Sequence, residues 1–267
     1  MMFPVVTTRV APPKRGLSST MSRSKLALTF LAALLAGCAT PPPAADREAV
    51  AEFRANNDPL EPFNRQMFSV HQVIDRNVLR PVTVAYRVLP DPVRMSVRNV
   101  LNNLRTPVVL LNDMLQGQPV RGGDTLGRFV INSTLGVGGL FDVADSYFGV
   151  PVHYEDFGQT LATFGVGEGP FLFIPVLGPS NPRDLAGYGV DIAAQPLTWV
   201  GQGLAVNILG GVRGGATILD TRDYFFNTID EVNRTSLDPY ATLRSGYRQS
   251  RAAAIANRDA TGTRSLP

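Results

Sequence analysis

The sequence predicts a mainly α-helical protein, and three observations carry that prediction. Five capping residues stand directly before proline: Asp58-Pro59, Asp91-Pro92, Thr106-Pro107, Asn181-Pro182 and Asp238-Pro239. A side-chain oxygen at the N-cap accepts from orphan N–H groups of the first turn, and proline at N1 gives up no needed donor. The apolar residues that follow recur at gaps of three and four, one face of a helix. Between them lies one apolar segment that cannot be regular helix, Phe164 to Pro179, FGVGEGPFLFIPVLGP. Its prolines would remove donors and clash with the preceding turn, so an extended loop or hairpin near 165–178 is expected there.

The chain opens with a targeting segment. Residues 26–36, LALTFLAALLA, form a short apolar run with Arg23 and Lys25 before it and Gly37-Cys38 after it. A basic start, a short apolar stretch and small residues at the cleavage point make a secretory signal peptide. Leu35-Ala36-Gly37-Cys38 resembles the bacterial lipobox, in which the cysteine is lipidated and becomes the first mature residue. Residues 1–37 are therefore expected to be a lipoprotein signal peptide, with Met21 an alternative start, and Cys38 the lipidation site. Cys38 is the one cysteine of the chain, so no intramolecular disulfide forms. Ala39 follows it, and by the same resemblance the outer membrane is the expected address. Residues 38–57, rich in alanine and proline, read as a lipidated flexible tether.

Cleavage changes the charge balance. Residues 1–37 hold Arg9, Lys14, Arg15, Arg23 and Lys25 and no acid, so the mature chain has 25 − 5 = 20 basic residues against 22 acidic ones. The basic balance of the full chain belongs to the leader, and the main compositional argument for nucleic-acid binding goes with it.

Residues 58–250 are long enough for one domain with a sizeable core, and residues 251–267 are expected to be a tail, disordered at its end. After Asp58, Leu60, Phe63, Met67, Val70, Ile74 and Val78 line one helix face, with Pro81 as its expected boundary. After Asp91, residues 92–105 form an apolar face bordered by Arg94, Arg98 and Arg105. Arginines at such a border can bury their stems and lift their heads to phosphates, and they can equally belong to an ordinary surface helix. A short helix over 107–116 follows, then one from near Pro119 to Thr134, a long or kinked helical region from Gly203 to Asn233, and a last helix from Asp238 to about Asn257. From Phe129 to Pro182 there is no Lys or Arg, a depletion that suits either lipid contact or a deep core.

Little in the sequence points to catalysis, and the reading is of a protein that is not an enzyme. His71 and His153 are the two histidines, and neither stands at metal-ligand spacing with further ligands. Gly165-Val166-Gly167-Glu168-Gly169 lacks the lysine and flanking elements of a phosphate loop, and no nucleophile elbow is present. No cofactor or metal site is expected.

Several phrases together resemble one family. Asp58–Phe68 (DPLEPFNRQMF), Asn103–Pro119 (NLRTPVVLLNDMLQGQP), Arg128–Ala144 (RFVINSTLGVGGLFDVA), Phe157–Pro170 (FGQTLATFGVGEGP) and Asp238-Pro239-Tyr240 with Arg244 are similar to the VacJ/MlaA outer-membrane lipoproteins, in the same order. The resemblance implies a single ring-like bundle of amphipathic helices lying in one membrane leaflet, the periplasmic one, around a channel for phospholipid. It implies trimeric porins and the periplasmic lipid carrier MlaC as partners, and retrograde phospholipid transport that maintains lipid asymmetry. From its phrases Phe63, Asn64 and Arg65 are expected near the channel. Irregular backbone at membrane depth survives only packed on protein or lining a wet cavity. The segment with Gly165, Gly167, Gly169, Phe171 and Phe173 is therefore expected to be a glycine-hinged gate. A porin-bracing lipoprotein without transport and a lipid hydrolase are the alternatives.

Overall fold

The computed structural model describes residues 58–199 and 204–256, with residues 43, 45–48 and 50 ahead of them. The signal segment, Cys38, most of the tether and residues 257–267 lie outside the described residues. Within the tether, Val50 N–H donates to the Asp46 carbonyl at 3.0 Å, one turn of helix.

The body is helical, as expected. Helix α1 (Glu61–Ile74) runs through a π-helical turn, Asp75–Leu79, into α2 (Arg80–Tyr86). Helix α3 (Asp91–Leu115) and α4 (Pro119–Thr134) form an antiparallel pair, followed by the short helices α5 (Val143–Phe148) and α6 (Phe157–Thr163). Strands β1 (Leu172–Ile174) and β2 (Gly178–Ser180) make one antiparallel hairpin, with Phe173 opposite Pro179. Helices α7 (Pro182–Ala194), α8 (Pro196–Trp199), α9 (Leu204–Tyr224), α10 (Phe226–Thr235) and α11 (Pro239–Ala256) complete the order. Helix α11 thus carries the first residues assigned to the tail.

Two expected boundaries, both at prolines, are wrong. Pro81 does not end a helix, because the wide π-helical turn before it accommodates the ring and leaves Pro81 in the first turn of α2. Pro107 does not start one. The helices expected over 92–105 and 107–116 are a single helix of 25 residues with Pro107 inside. Thr106 caps nothing, and its hydroxyl donates back to the Asn102 carbonyl at 3.1 Å. An interior proline costs about 3 kcal/mol. Val108, Val109, Asn112 and Asp113, just beyond it, are buried, and that tertiary packing outweighs the cost.

The caps divide similarly. Asn181 accepts from Asp184 N–H at 2.8 Å and Asp238 from Ala241 N–H at 3.1 Å, as the spacing predicts. Asp58 and Asp91 cap nothing through their side chains. Asp142 and Asp156, which precede no proline, cap α5 and α6.

Glycine sets one close crossing. A Cβ on Gly187 of α7 would lie 2.2 Å from the Gly158 nitrogen of α6, so the two helices touch backbone to backbone.

Burial is inverted relative to a water-soluble domain. Among the described residues the buried apolar side chains are Val108, Val109, Ala144, Phe171, Phe173 and Tyr240. Buried polar and charged ones far outnumber them and include Asp58, Asn64, Asp75, Asn112, Asp113, Arg128, Glu155, Arg222, Asp223 and Arg244. Large apolar side chains stand outside on α1–α5, α7 and α9, among them Val73, Val82, Val120, Tyr147, Ile192, Leu209 and Val212. Among the described residues no helix is long and apolar enough to cross a membrane.

Candidate functional site

The hairpin is fixed to α1 and α11 by one buried polar knot. Asn64, 0% exposed, donates to Asp58 Oδ1 at 2.8 Å and to the Phe171 carbonyl at 2.9 Å. Its own Oδ1 accepts from Phe173 N–H at 3.0 Å. Asp58 Oδ2 accepts from the Tyr240 hydroxyl and, at 2.7 Å, from Arg244 Nη1. Every polar group of the knot is satisfied, which is the condition for burying it. Above it Phe171, Phe173 and Tyr240 form an aromatic core with Phe68 and Tyr247 against it; the Phe68 and Phe173 rings meet edge to face at 5.3 Å.

This placement changes the reading of Phe171 and Phe173. Each is 2% exposed, so neither side chain faces a channel; they anchor the hairpin to the body. Asn64 likewise holds backbone rather than lining a passage. Phe63 is half-buried, and Arg65 is exposed, bridged to Glu61 at 2.7 Å and Asp238 at 2.6 Å. Gly165 and Gly169 have φ of 83° and 71°, a region that favours glycine, whereas Gly167 is not among the positive-φ positions. Glu168, the segment's one charge, pairs with Arg248 at 3.2 Å. The exposed large apolar side chains of the segment are Phe164, Val166 and Leu177.

The hairpin tip carries strain. Val176 sits at φ 71°, costly for a β-branched residue. Its N–H donates to His71 Nδ1 at 3.1 Å, so the proton of that ring sits on Nε2. Burial lowers the His71 pKa, Asp75 opposes the shift and Arg222 adds to it, so the neutral acceptor form is the native one.

A second polar assembly fills the space among α3, α4, α6 and α7. Asn112 Nδ2 donates to Asp191 Oδ1 at 3.0 Å, and Asn112 Oδ1 accepts from Thr160 at 2.7 Å. Burial raises the Asp191 pKa even though it accepts from Phe157 N–H and Asn112. Gln116 joins Thr160 at 2.8 Å to Glu155 at 3.1 Å, and Glu155 meets Arg121 at 3.0 Å. Arg128 binds Asp142 at 2.8 Å. Asp156 is buried against its charge, yet two hydrogen bonds from Arg251 hold its pKa down at about 2. A small cleft opens beside this assembly, lined by Asn99, Asn102, Arg105, Arg128, His153 and Tyr154 among others.

His153 does not join Glu155 or Asp156, its neighbours in sequence. It meets Asp113 and Thr125 instead, at 3.1 and 3.2 Å. These three resemble a hydroxyl–imidazole–carboxylate relay only in composition. A relay uses opposite ring nitrogens, whereas Thr125 and Asp113 both contact Nε2, and Thr125 donates to Asp113 directly at 2.5 Å. Among the described residues no group of three or more His, Cys, Asp or Glu is disposed to hold a metal ion.

The α3 arginines also differ from expectation. Arg94 binds Asp223 at 2.6 Å and Arg98 binds Asp220 at 3.1 Å, both on α9. These heads turn inward to carboxylates rather than outward to phosphates. The sequence hid this because Asp220 and Asp223 lie over a hundred positions away, on a helix whose partner only the fold selects.

The chain is similar throughout its body to proteins of one kind. The family model described as MlaA lipoprotein matches residues 56–254. The intermembrane phospholipid transport system lipoprotein MlaA of Shigella flexneri is 36% identical over 234 residues, covering 84% of this chain and 87% of that one. The protein of the same name from Haemophilus influenzae is 34% identical over 235 residues, covering 85% and 89%. A chain solved in work on the structural basis for maintenance of bacterial outer membrane lipid asymmetry superposes with TM-score 0.65 at 33% identity, covering 74% of this chain and 98% of that one. The chain belongs to the MlaA lipoprotein family.

Proposed function

We propose that this protein takes phospholipid from the outer leaflet of the outer membrane and passes it inward to a periplasmic carrier, so maintaining lipid asymmetry. The observation that carries the reading is the inverted burial: hydrogen-bonded charge inside, exposed Val, Leu and aromatic side chains outside, with no spanning helix among the described residues. Such an exterior matches a protein seated in one leaflet, and a polar interior lets a headgroup pass where acyl chains would otherwise face water. The names of the related proteins, which refer to intermembrane phospholipid transport, support the same reading. It extends to a lipid anchor on Cys38 after removal of residues 1–37, a seat in the periplasmic leaflet, and porin trimers and MlaC as partners. Moving lipid requires no acid–base pair, so the protein acts as a conduit and not as an enzyme.

The test is a deletion strain. Loss of the gene raises outer-leaflet phospholipid and sensitivity to detergent with EDTA, and Cys38→Ser fails to restore either. Unchanged asymmetry in the deletion strain overturns the proposal. Photo-crosslinking probes belong at Phe164 and Leu177, 66% and 45% exposed. Phospholipid adducts there support a gate beside the hairpin, whereas adducts to protein alone favour a bracing role.

A further inference from the structure

The helix pair α3–α9 carries a ladder of ion pairs that ends in the wrong charge. The two helices run antiparallel, with Arg94 on Asp223 and Arg98 on Asp220. Seven residues make two turns and return to nearly the same helix face. Moving two turns onward from Arg98 reaches Arg105, and two turns back from Asp220 reaches Arg213. Where the register calls for a third carboxylate, α9 supplies a second arginine.

Both guanidinium groups lack a carboxylate among the described residues. Arg213 Nε is buried with no hydrogen-bond partner. Arg183 and Arg222 also keep a nitrogen unpaired, but each of those binds an aspartate elsewhere. Arg105 lies over the Tyr154 ring at 5.7 Å and lines the polar cleft. Two carboxylates that feel the Arg105 charge are already engaged: Asp156 by Arg251 at 2.6 Å, and Asp191 by Asn112 and the Phe157 N–H. Burial first, and the Arg105 charge second, lower the Arg213 pKa, so the two positive charges repel each other. Two like charges on one interior face cost stability unless an anion lies between them.

The geometry points to a phosphodiester anion, the headgroup phosphate of a phospholipid, bound between Arg105 and Arg213 at the edge of the cleft. Paired guanidinium groups recognise phosphate oxygens through charge-assisted hydrogen bonds. This deepens the transport reading by naming where the headgroup pauses, and it rests on that reading for the source of the phosphate.

The experiment uses the full lipidated chain in a neutral detergent, titrated with dihexanoyl phosphatidylglycerol below its micelle concentration. Dihexanoylglycerol serves as the phosphate-free control, and inorganic phosphate as the free-anion control. Wild-type protein is expected to bind the phospholipid and not the neutral lipid. Arg105→Gln should weaken binding roughly tenfold, a loss of about 1.4 kcal/mol. Arg213→Asp is the decisive variant, since it completes the ladder: it should abolish binding yet raise the melting temperature through a new pair with Arg105. A purely structural role for Arg213 would not move binding and stability in opposite directions. Unchanged phospholipid affinity in both variants overturns the site, as does binding of inorganic phosphate alone. In cells the two readings separate. A deletion strain with normal asymmetry, alongside Arg213-dependent binding in vitro, removes transport and keeps the site. Loss of asymmetry on deletion with full rescue by Arg213→Asp removes the site and keeps transport.

Discussion

The hairpin dock and the polar assembly of α3, α4, α6 and α7 bury polar groups in opposite ways. At the dock, one asparagine and one aspartate sit beneath a dry aromatic cluster, and each makes several bonds. In the second region the polar groups are spread over many side chains linked one to the next by hydrogen bonds. A concentrated knot fails all at once when one member is removed, whereas a spread network yields locally. The first suits a fixed anchor and the second a passage that must tolerate a headgroup.

Substitutions can break that contrast. The largest expected effect is at the dock. Arg244→Met leaves Asp58 buried without its 2.7 Å partner and should cost about 3–5 kcal/mol, read by denaturant unfolding in detergent. Asn64→Leu comes next: it orphans the Phe171 carbonyl and the Phe173 N–H, at about 1–3 kcal/mol for each buried group left unpaired. Because both variants act on one knot, the double variant should lose less than the sum of the two. Additive losses would show that the knot does not act as a unit.

In the second region, Gly187→Ala forces a Cβ against the Gly158 backbone and should cost about 1–3 kcal/mol. Gly167→Ala meets nothing within 4 Å and should be silent in stability and in lipid asymmetry. An effect at Gly167 would restore a hinge role that its backbone does not suggest.

The smallest expected effect is with pH. The folded pKa of His71 lies below the ordinary 6.5, so its contribution is complete above that value and is lost as pH falls through the window below it. Protonation would set a donor against the Val176 N–H. Amide exchange at Val176, taken relative to its intrinsic rate at each pH, should therefore quicken below pH 6.5, and His71→Gln should flatten that dependence. Unchanged exchange in the wild type would remove His71 as the support of the hairpin tip.

Much of the fold was legible from local rules. The helix of Pro119–Thr134, the caps at Asn181 and Asp238, and the hairpin in the Phe164–Pro179 segment all follow from capping, periodicity and proline chemistry within a few residues. The strands sit slightly later than expected, at 172–174 and 178–180, with the glycines in the loop before them. Arg94, Arg98 and Arg105 stood out as one cluster, yet their fates differ, because that depends on which α9 residue each one meets.

The sequence by itself determined the helical class and the absence of a recognisable catalytic motif, since these depend on composition and short-range spacing; that the apolar side chains stand outside was decided by the fold. Only the tertiary structure decided that Pro107 lies inside a helix, that Phe171 and Phe173 are anchors, and that Arg94 and Arg98 meet carboxylates of α9. The physical reason is that burial and charge pairing are set between residues far apart in the chain, and their energies outweigh the local preferences that a sequence displays.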